Sequence, residues 1–281
     1  MLPEIGRLAE ASGASGVYVA DHVVLGDDVT DYPYGRFHHE PGAPFMEPFA
    51  QLAALAVATS RITLGTHVLL AALRPTLLLA KTAATVDRLS RGRLELGVGV
   101  GWHRYEFDSM GIPFDERGSR LDHTVAGCRE LWRSSPATFR SATVSSTRVY
   151  CEPRPTRAGG PPVLFAGAMS PRNRRRIVAM GDGWVAPGVT NAREVAEGVA
   201  RLRAALSSAG RDPAVKVRAA MPIVRDGRGG PQLEATLAQV RDFADAGATD
   251  VVIPVAAFVS RADDLERWFK HLDRAWGRAG P

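Results

Sequence analysis

The sequence predicts an α/β protein, a (β/α)8 barrel in which parallel strands alternate with helices. Three observations point there. Short β-branched runs alternate with longer stretches of helical periodicity along most of the chain. Hydrophobic residues make up 45% and charged residues 23%, an ordinary globular balance that supplies a sizeable core and excludes disorder. The 281 residues suit one barrel of about 250, so a single domain over 1–281 is expected.

In order, residues 3–12 read as a helix and 16–20 (GVYVA) as a strand that ends in Asp21-His22. A loop rich in Asp, Tyr, Pro, Gly and His covers 26–46; connections of that length are usually functional. A helix at 47–59 precedes the strand 61–70 (RITLGTHVLL), and a helix at 75–90 precedes the strand 93–100 (RLELGVGV). Arg93 follows a glycine that ends a helix, so it is expected to pair with Asp87 or a carbonyl.

Residues 103–160, after the GVGVG strand, break the beat and read as an insertion. Within it, Leu121, Val125, Cys128 and Trp132 recur at helical spacing over about 114–133. Residues 138–150 alternate like an exposed hairpin, and Arg117 and Arg120 stand beside Asp115 and Asp122. The beat resumes with the strand 163–166 (VLFA), helix 171–180 and the strand 183–186 (GWVA). Helix 191–209, strand 215–224, helix 231–246, strand 250–256 and helix 261–277 follow. Seven strands are counted, ending near 20, 68, 100, 166, 186, 223 and 256. A closed barrel needs eight. The chain opens on a helix, so the first strand is expected to be the missing one.

No apolar run reaches the ~20 residues a membrane span needs, and the start lacks the basic-then-apolar pattern of a leader. Only Cys128 and Cys151 are present, too few and too far apart for a disulfide framework or zinc site, so a cytoplasmic protein without a metal is expected. The net charge of +5 and pI near 9.6 favour anionic small molecules. The arginines are scattered, without an aromatic-interleaved basic strand or a recognition helix, so no nucleic acid is expected.

Barrel chemistry sits where strands run into their following loops. His22, His67 and His103 lie at three such ends, either as converging proton-transfer imidazoles or as ordinary polar strand ends. The H-x-H of a metallohydrolase barrel is absent. Gly97-Val98-Gly99-Val100-Gly101 is not a dinucleotide fingerprint, because Trp102 and Arg104 stand where the third glycine belongs. Bare glycines there give a flat ring access to backbone, with Trp102 as a wall, or else relieve crowding in a narrow barrel. The turn Gly167-Ala168-Met169-Ser170, capping a helix that opens on Pro171, reads as a phosphate site. Arg172, Arg174, Arg175 and Arg176 read as a solvated face.

The run from Thr59 (TSRITLG) through GRLELGVGVGWHRYEFDSMGIPFDERGSRLD to Asp122 resembles the bacterial luciferase-like oxidoreductases, most closely their coenzyme F420-dependent subgroup. Ala20-Asp21-His22, PPVLFAGA, Gly181-Asp182-Gly183-Trp184 and Ala209-Gly210-Arg211-Asp212-Pro213 extend the likeness over nearly the whole chain. The resemblance implies a TIM-like barrel, commonly a homodimer, with an isoalloxazine or deazaflavin ring at its mouth. It places Asp21 and His22 beside the ring, with His22 the candidate proton donor or acceptor and Asp21 orienting it or the backbone. Thr66, His67 and Val68 would back the ring, often through a non-proline cis peptide. Gly99, Gly101 and Trp102 would face its edge, and Gly167, Ala168, Met169 and Ser170 would hold its phosphate. Two departures stand out: Trp102 replaces the glutamate of the family's sugar-phosphate dehydrogenases, and the usual opening strand F-G-x-x-x-P is absent.

The function expected is hydride transfer between coenzyme F420 and a small organic substrate, with Tyr32, Tyr34, Phe37, His38 and Phe45 of the long loop covering the substrate. The alternatives are an FMN-dependent monooxygenase on the same barrel and a non-catalytic binding protein on a degenerate one.

Overall fold

The computed structural model describes residues 2–35, 37, 39–188 and 191–279. His38 of the long loop lies outside them. The chain forms two compact units, Gly16–Leu164 on the one hand and Met1–Ser15 with Phe165–Pro281 on the other.

The chain opens on α1 (Leu2–Ala11) of the second of these units. The 16–164 unit then runs β1 (Gly16–Val19), α2 (Pro48–Ala58), β2 (Thr63–Leu69), α3 (Thr76–Leu89) and β3 (Leu94–Val98). Glu47 starts α2 by accepting the Ala50 N–H, with Pro48 pre-set in the first turn. β1 pairs in parallel with β2 from Gly16–Thr63 to Val19–Thr66, and β2 with β3 from Leu64–Leu94. The register of the second pair shifts between Thr66 and Leu69. Arg93 bonds carbonyls, as the sequence led us to expect: its guanidinium donates to Ala56, Thr59 and Ile62, closing the C-terminal end of α2.

The insertion holds α4 (Arg104–Ser109), which periodicity did not reveal, then α5 (Arg117–Arg133), β4 (Ala137–Arg140) and β5 (Ser145–Val149). Leu121, Val125, Cys128 and Trp132 form the buried stripe of α5, and the Trp132 indole donates to Ala80 O on α3. β4 and β5 are the expected hairpin, an antiparallel pair outside the main sheet. Arg117 lies over the Phe114 ring at 3.8 Å, and Arg120 pairs with Glu116 at 3.8 Å.

β6 (Val163–Ala166) contains the boundary between the units. After it come α6 (Pro171–Met180), β7 (Gly183–Ala186), α7 (Ala192–Ser208), β8 (Lys216–Ala220), α8 (Leu233–Leu237), α9 (Val240–Asp245), β9 (Asp250–Val252) and α10 (Leu265–Ala279). Asn191 and Glu194 form a reciprocal capping box on α7. Four expectations are corrected by the structure. The helix expected over 231–246 is two, because Gln239 leaves the helical ladder and its side chain reaches Pro222 O. The strands expected over 215–224 and 250–256 end at Ala220 and Val252, each two residues before a proline. Arg176 is buried and leaves the solvated face proposed for residues 172 and 174–176.

The main sheet has seven strands in the order β1-β2-β3-β6-β7-β8-β9. Seven is the number counted from the sequence, and among the described residues no eighth strand joins this sheet.

Candidate functional site

β1 delivers Asp21 and His22 just beyond its C-terminal end, and the two side chains serve different neighbours. Asp21 is 3% exposed and forms a two-pronged pair with Arg74, Oδ2 to Nη1 at 2.5 Å and Oδ1 to Nη2 at 2.9 Å. Its Oδ2 also accepts the Leu70 N–H at 2.8 Å. Asp21 therefore orients backbone, tying the end of β1 to the segment that follows β2.

His22 turns to Glu106 on α4, with Nδ1 3.1 Å from Oε2. Glu106 is 0% exposed, and its other oxygen, Oε1, accepts the Val23 N–H at 2.5 Å. Sequence reasoning missed both Glu106 and Arg74. The signal for Glu106 was its place four residues after Trp102, close behind a strand end, where a buried carboxylate has few uses apart from holding a cation or an N–H.

His103 is 2% exposed, and its Nε2 accepts the Gly26 N–H at 2.8 Å. That bond requires the neutral, Nδ1-protonated ring. Burial pushes its pKa below the ordinary value, opposed in part by Glu106. His103 thus anchors the start of the long loop.

The loop lays aromatic rings around His22. Phe45, Phe37 and Trp102 meet its ring edge-on at centroid distances of 4.9, 5.7 and 5.9 Å. Tyr32 contacts both Phe37 and Trp102, and Tyr34 contacts Tyr32. Burial raises the pKa of both tyrosines, which keeps their hydroxyls protonated as donors. Trp102 is thus one wall of an aromatic enclosure over His22.

Thr66 is buried and donates to Gly97 O at 2.8 Å, and the His67–Val68 peptide is cis, at the place the resemblance gave for one. Gly99 N–H bonds Leu69 O. Gly101 has φ +79°, and a Cβ there would come within 2.7 Å of Phe107 Cε2, so the space beside Gly101 belongs to Phe107. For this glycine the crowding explanation holds.

In the other unit, taken by itself, Ser170 caps α6 by accepting the Asn173 N–H. Gly167 N–H bonds Val185 O and Ser170 N–H bonds Ala168 O, so two of the four anticipated amides are engaged. Among the described residues, the amides of Ala168 and Met169 have no protein acceptor. The Asn173 side-chain oxygen, buried at the same turn, has no partner either.

A parallel α/β sheet with chemistry-bearing residues at its strand ends defines an α/β protein of the TIM-barrel kind. The chain belongs to the luciferase-like monooxygenase family, whose model matches residues 2–274. Members of this family are oxidoreductases and monooxygenases. An uncharacterized Mycobacterium tuberculosis protein is 29% identical over 266 residues, 93% of this chain and 87% of its own. The FMNH(2)-dependent dimethylsulfone monooxygenase of Pseudomonas fluorescens is 30% identical over 232 residues, 81% of this chain and 61% of its own. Among solved structures, the monooxygenase RslO1 of Streptomyces bottropensis superposes with a TM-score of 0.82 at 21% identity, over 99% of this chain and 91% of that one. The coenzyme F420 dependent tetrahydromethanopterin reductase of Methanopyrus kandleri gives 0.73 at 16%, over 99% and 93%. Both establish the fold. Among the described residues, no helix is long and apolar enough to cross a membrane.

Proposed function

We propose that the chain is a hydride-transfer oxidoreductase that uses coenzyme F420 and a small organic substrate, acting as one domain over 1–281 with 103–160 as an insertion, in the cytoplasm and as a homodimer. The observation that carries the enzymatic part is His22: a histidine at a strand end, held by a buried carboxylate and enclosed by aromatic rings. The pattern GVGVGW with Glu106-Phe107 and Glu116-Arg117-Gly118 after it favours the deazaflavin, as does the basic charge of the chain.

Each unit, taken by itself, offers residues that suit one part of such a group. In the 16–164 unit, the backbone of Thr66, His67, Val68 and Gly99 and the indole of Trp102 would receive the ring, with Gly101 shaping the turn through its packing on Phe107. In the other unit, Gly167, Ala168, Met169 and Ser170 would hold a phosphate, the free amides of Ala168 and Met169 being donors of the kind an anion takes at a helix start. When bound, a deazaflavin supplies two-electron hydride chemistry, which the protein need only orient and shield. His22 Nε2 accepts or returns the substrate proton, while the aromatic enclosure excludes water. Asp21 acts through the backbone, by its bonds to Leu70 and Arg74.

A second reading, an FMN-dependent monooxygenase on the same site, is favoured by the FMNH(2)-dependent relative. Titrating the purified protein with F420 and with FMN, followed by absorbance and fluorescence, separates the two. Saturable F420 binding with weak FMN binding is expected; tight FMN binding with none for F420 overturns the proposal. If neither cofactor binds and His22→Ala changes no measured property beyond local packing, the chain is a binding protein instead.

A further inference from the structure

We infer that Glu106 is a positioning residue that dictates which nitrogen of His22 carries the proton, so that Nδ1–H points at the carboxylate and Nε2 is left as the working atom. The inference deepens the reading of His22 as a proton partner and rests on it for its functional meaning, but the tautomer can be measured without any cofactor.

Three observations carry it. First, Glu106 is fully buried, and both of its oxygens are spent on consecutive residues, Oε2 on the His22 ring and Oε1 on the Val23 amide. An ionised carboxylate only accepts, so the ring nitrogen facing it must donate. Second, the Val23 N–H fixes the carboxylate's orientation, because a main-chain donor cannot change its role. Third, the rings of Phe45, Phe37 and Trp102 meet His22 edge-on and hold the imidazole in place, so it cannot simply flip to present its other nitrogen.

The geometry makes Glu106→Gln a sharp test. The glutamine carbonyl has to stay on Val23, since an NH2 group there would set two donors against each other. Its NH2 group is then forced towards His22 Nδ1, which must become an acceptor. The proton moves to Nε2, and the working atom loses its lone pair. The same substitution in the carboxylate of a serine-protease triad acts through a wrong tautomer, with the geometry otherwise intact.

The experiment is long-range 15N–1H correlation NMR on the full chain, without cofactor, with His22 assigned through His22→Gln. Wild type is expected to show His22 as Nδ1–H, with a slowly exchanging Val23 amide. Glu106→Gln is expected to show Nε2–H with the Val23 amide still protected. Turnover is expected to fall roughly 100-fold, within the range for a displaced general acid or base, while the dissociation constant for the bound cofactor changes less than about threefold. An Nε2–H tautomer in wild type overturns the inference, and so does an unchanged tautomer in Glu106→Gln. If the variant does not fold, the wild-type spectrum alone decides. Failure of F420 to bind refutes the proposed function and leaves the tautomer result standing.

Discussion

Replacing Asp21 by Ala separates a structural carboxylate from a catalytic one. The wild-type side chain is 1% exposed and its Arg74 partner 14%, so the pair sits largely out of water. Removing one member of such a pair costs about 3–5 kcal/mol: the guanidinium keeps only 3.4 Å contacts to the exposed Glu47 carboxylate and the Leu70 carbonyl, and the buried Leu70 amide loses its acceptor. Asp21→Asn keeps an oxygen for Leu70 and Arg74 Nη1 but turns an NH2 donor towards Arg74 Nη2, so its cost should fall within that range and below that of Asp21→Ala. In urea, with a slope of roughly 3 kcal/mol/M, Asp21→Ala should lower the midpoint by about 1 M or more. Arg74→Ala should do the same, and the double variant should cost clearly less than the sum of the two, because the partners share one interaction. Asp21→Asn should retain a large share of any turnover, since neither Asp21 oxygen faces the His22 ring. The reasoning fails if Asp21→Ala unfolds within 1 kcal/mol of wild type yet abolishes turnover; Asp21 would then act at the reaction itself.

Two further outcomes follow from the same geometry. Gly101→Ala places a methyl group 2.7 Å from Phe107 Cε2 at φ +79°, and the left-handed backbone and the overlap together should destabilise the protein by about 2–4 kcal/mol in the same urea assay; a change under 1 kcal/mol would mean that Phe107 has room to move. His103 is neutral when it accepts from Gly26, and its folded pKa lies below the ordinary 6.5. The unfolded chain therefore takes up this proton first. The His103 contribution is present in full above about pH 6.5 and declines as pH falls from there towards the folded value. Wild type should lose more stability than His103→Gln between pH 7.5 and pH 5, with hydrogen exchange at residues 26–35 rising in step; equal losses would contradict the assignment.

Those predictions lean on contacts of unequal visibility in the sequence. The strand–helix beat was legible because it is local: β-branched runs, helical stripes such as Leu121-Val125-Cys128-Trp132, and caps such as Ser170-Pro171 announce themselves within ten residues. The prolines after β8 and β9 were equally visible and should have ended both strands where they do end. The break in 231–246 was not visible: the Gln239 side chain that stands at it bonds a carbonyl seventeen positions earlier, a contact with no local signature. Candidate site residues were found by one geometric rule, that chemistry gathers after strand ends, and that rule finds His22 without finding what holds it.

The dipeptide Asp21-His22 shows why. Adjacent residues leaving a strand point to opposite sides, so two neighbours with the same apparent signal acquire unrelated partners. Asp21 meets Arg74, five residues beyond the end of β2, and His22 meets Glu106, eight residues beyond the end of β3. In a parallel sheet the C-terminal ends of neighbouring strands lie side by side, so the segments after β2 and β3 are the ones within reach of the end of β1. A charged residue soon after one strand end is therefore a candidate partner for an oppositely charged or titratable residue at the next. Applied to this sequence, that rule puts Arg74 and Glu106 among its candidates, together with Arg104 and Asp108. Between those two it gives the cation to Asp21 and leaves the carboxylate to His22, because the reverse assignment sets two carboxylates, Asp21 and Glu106, together in a dry place.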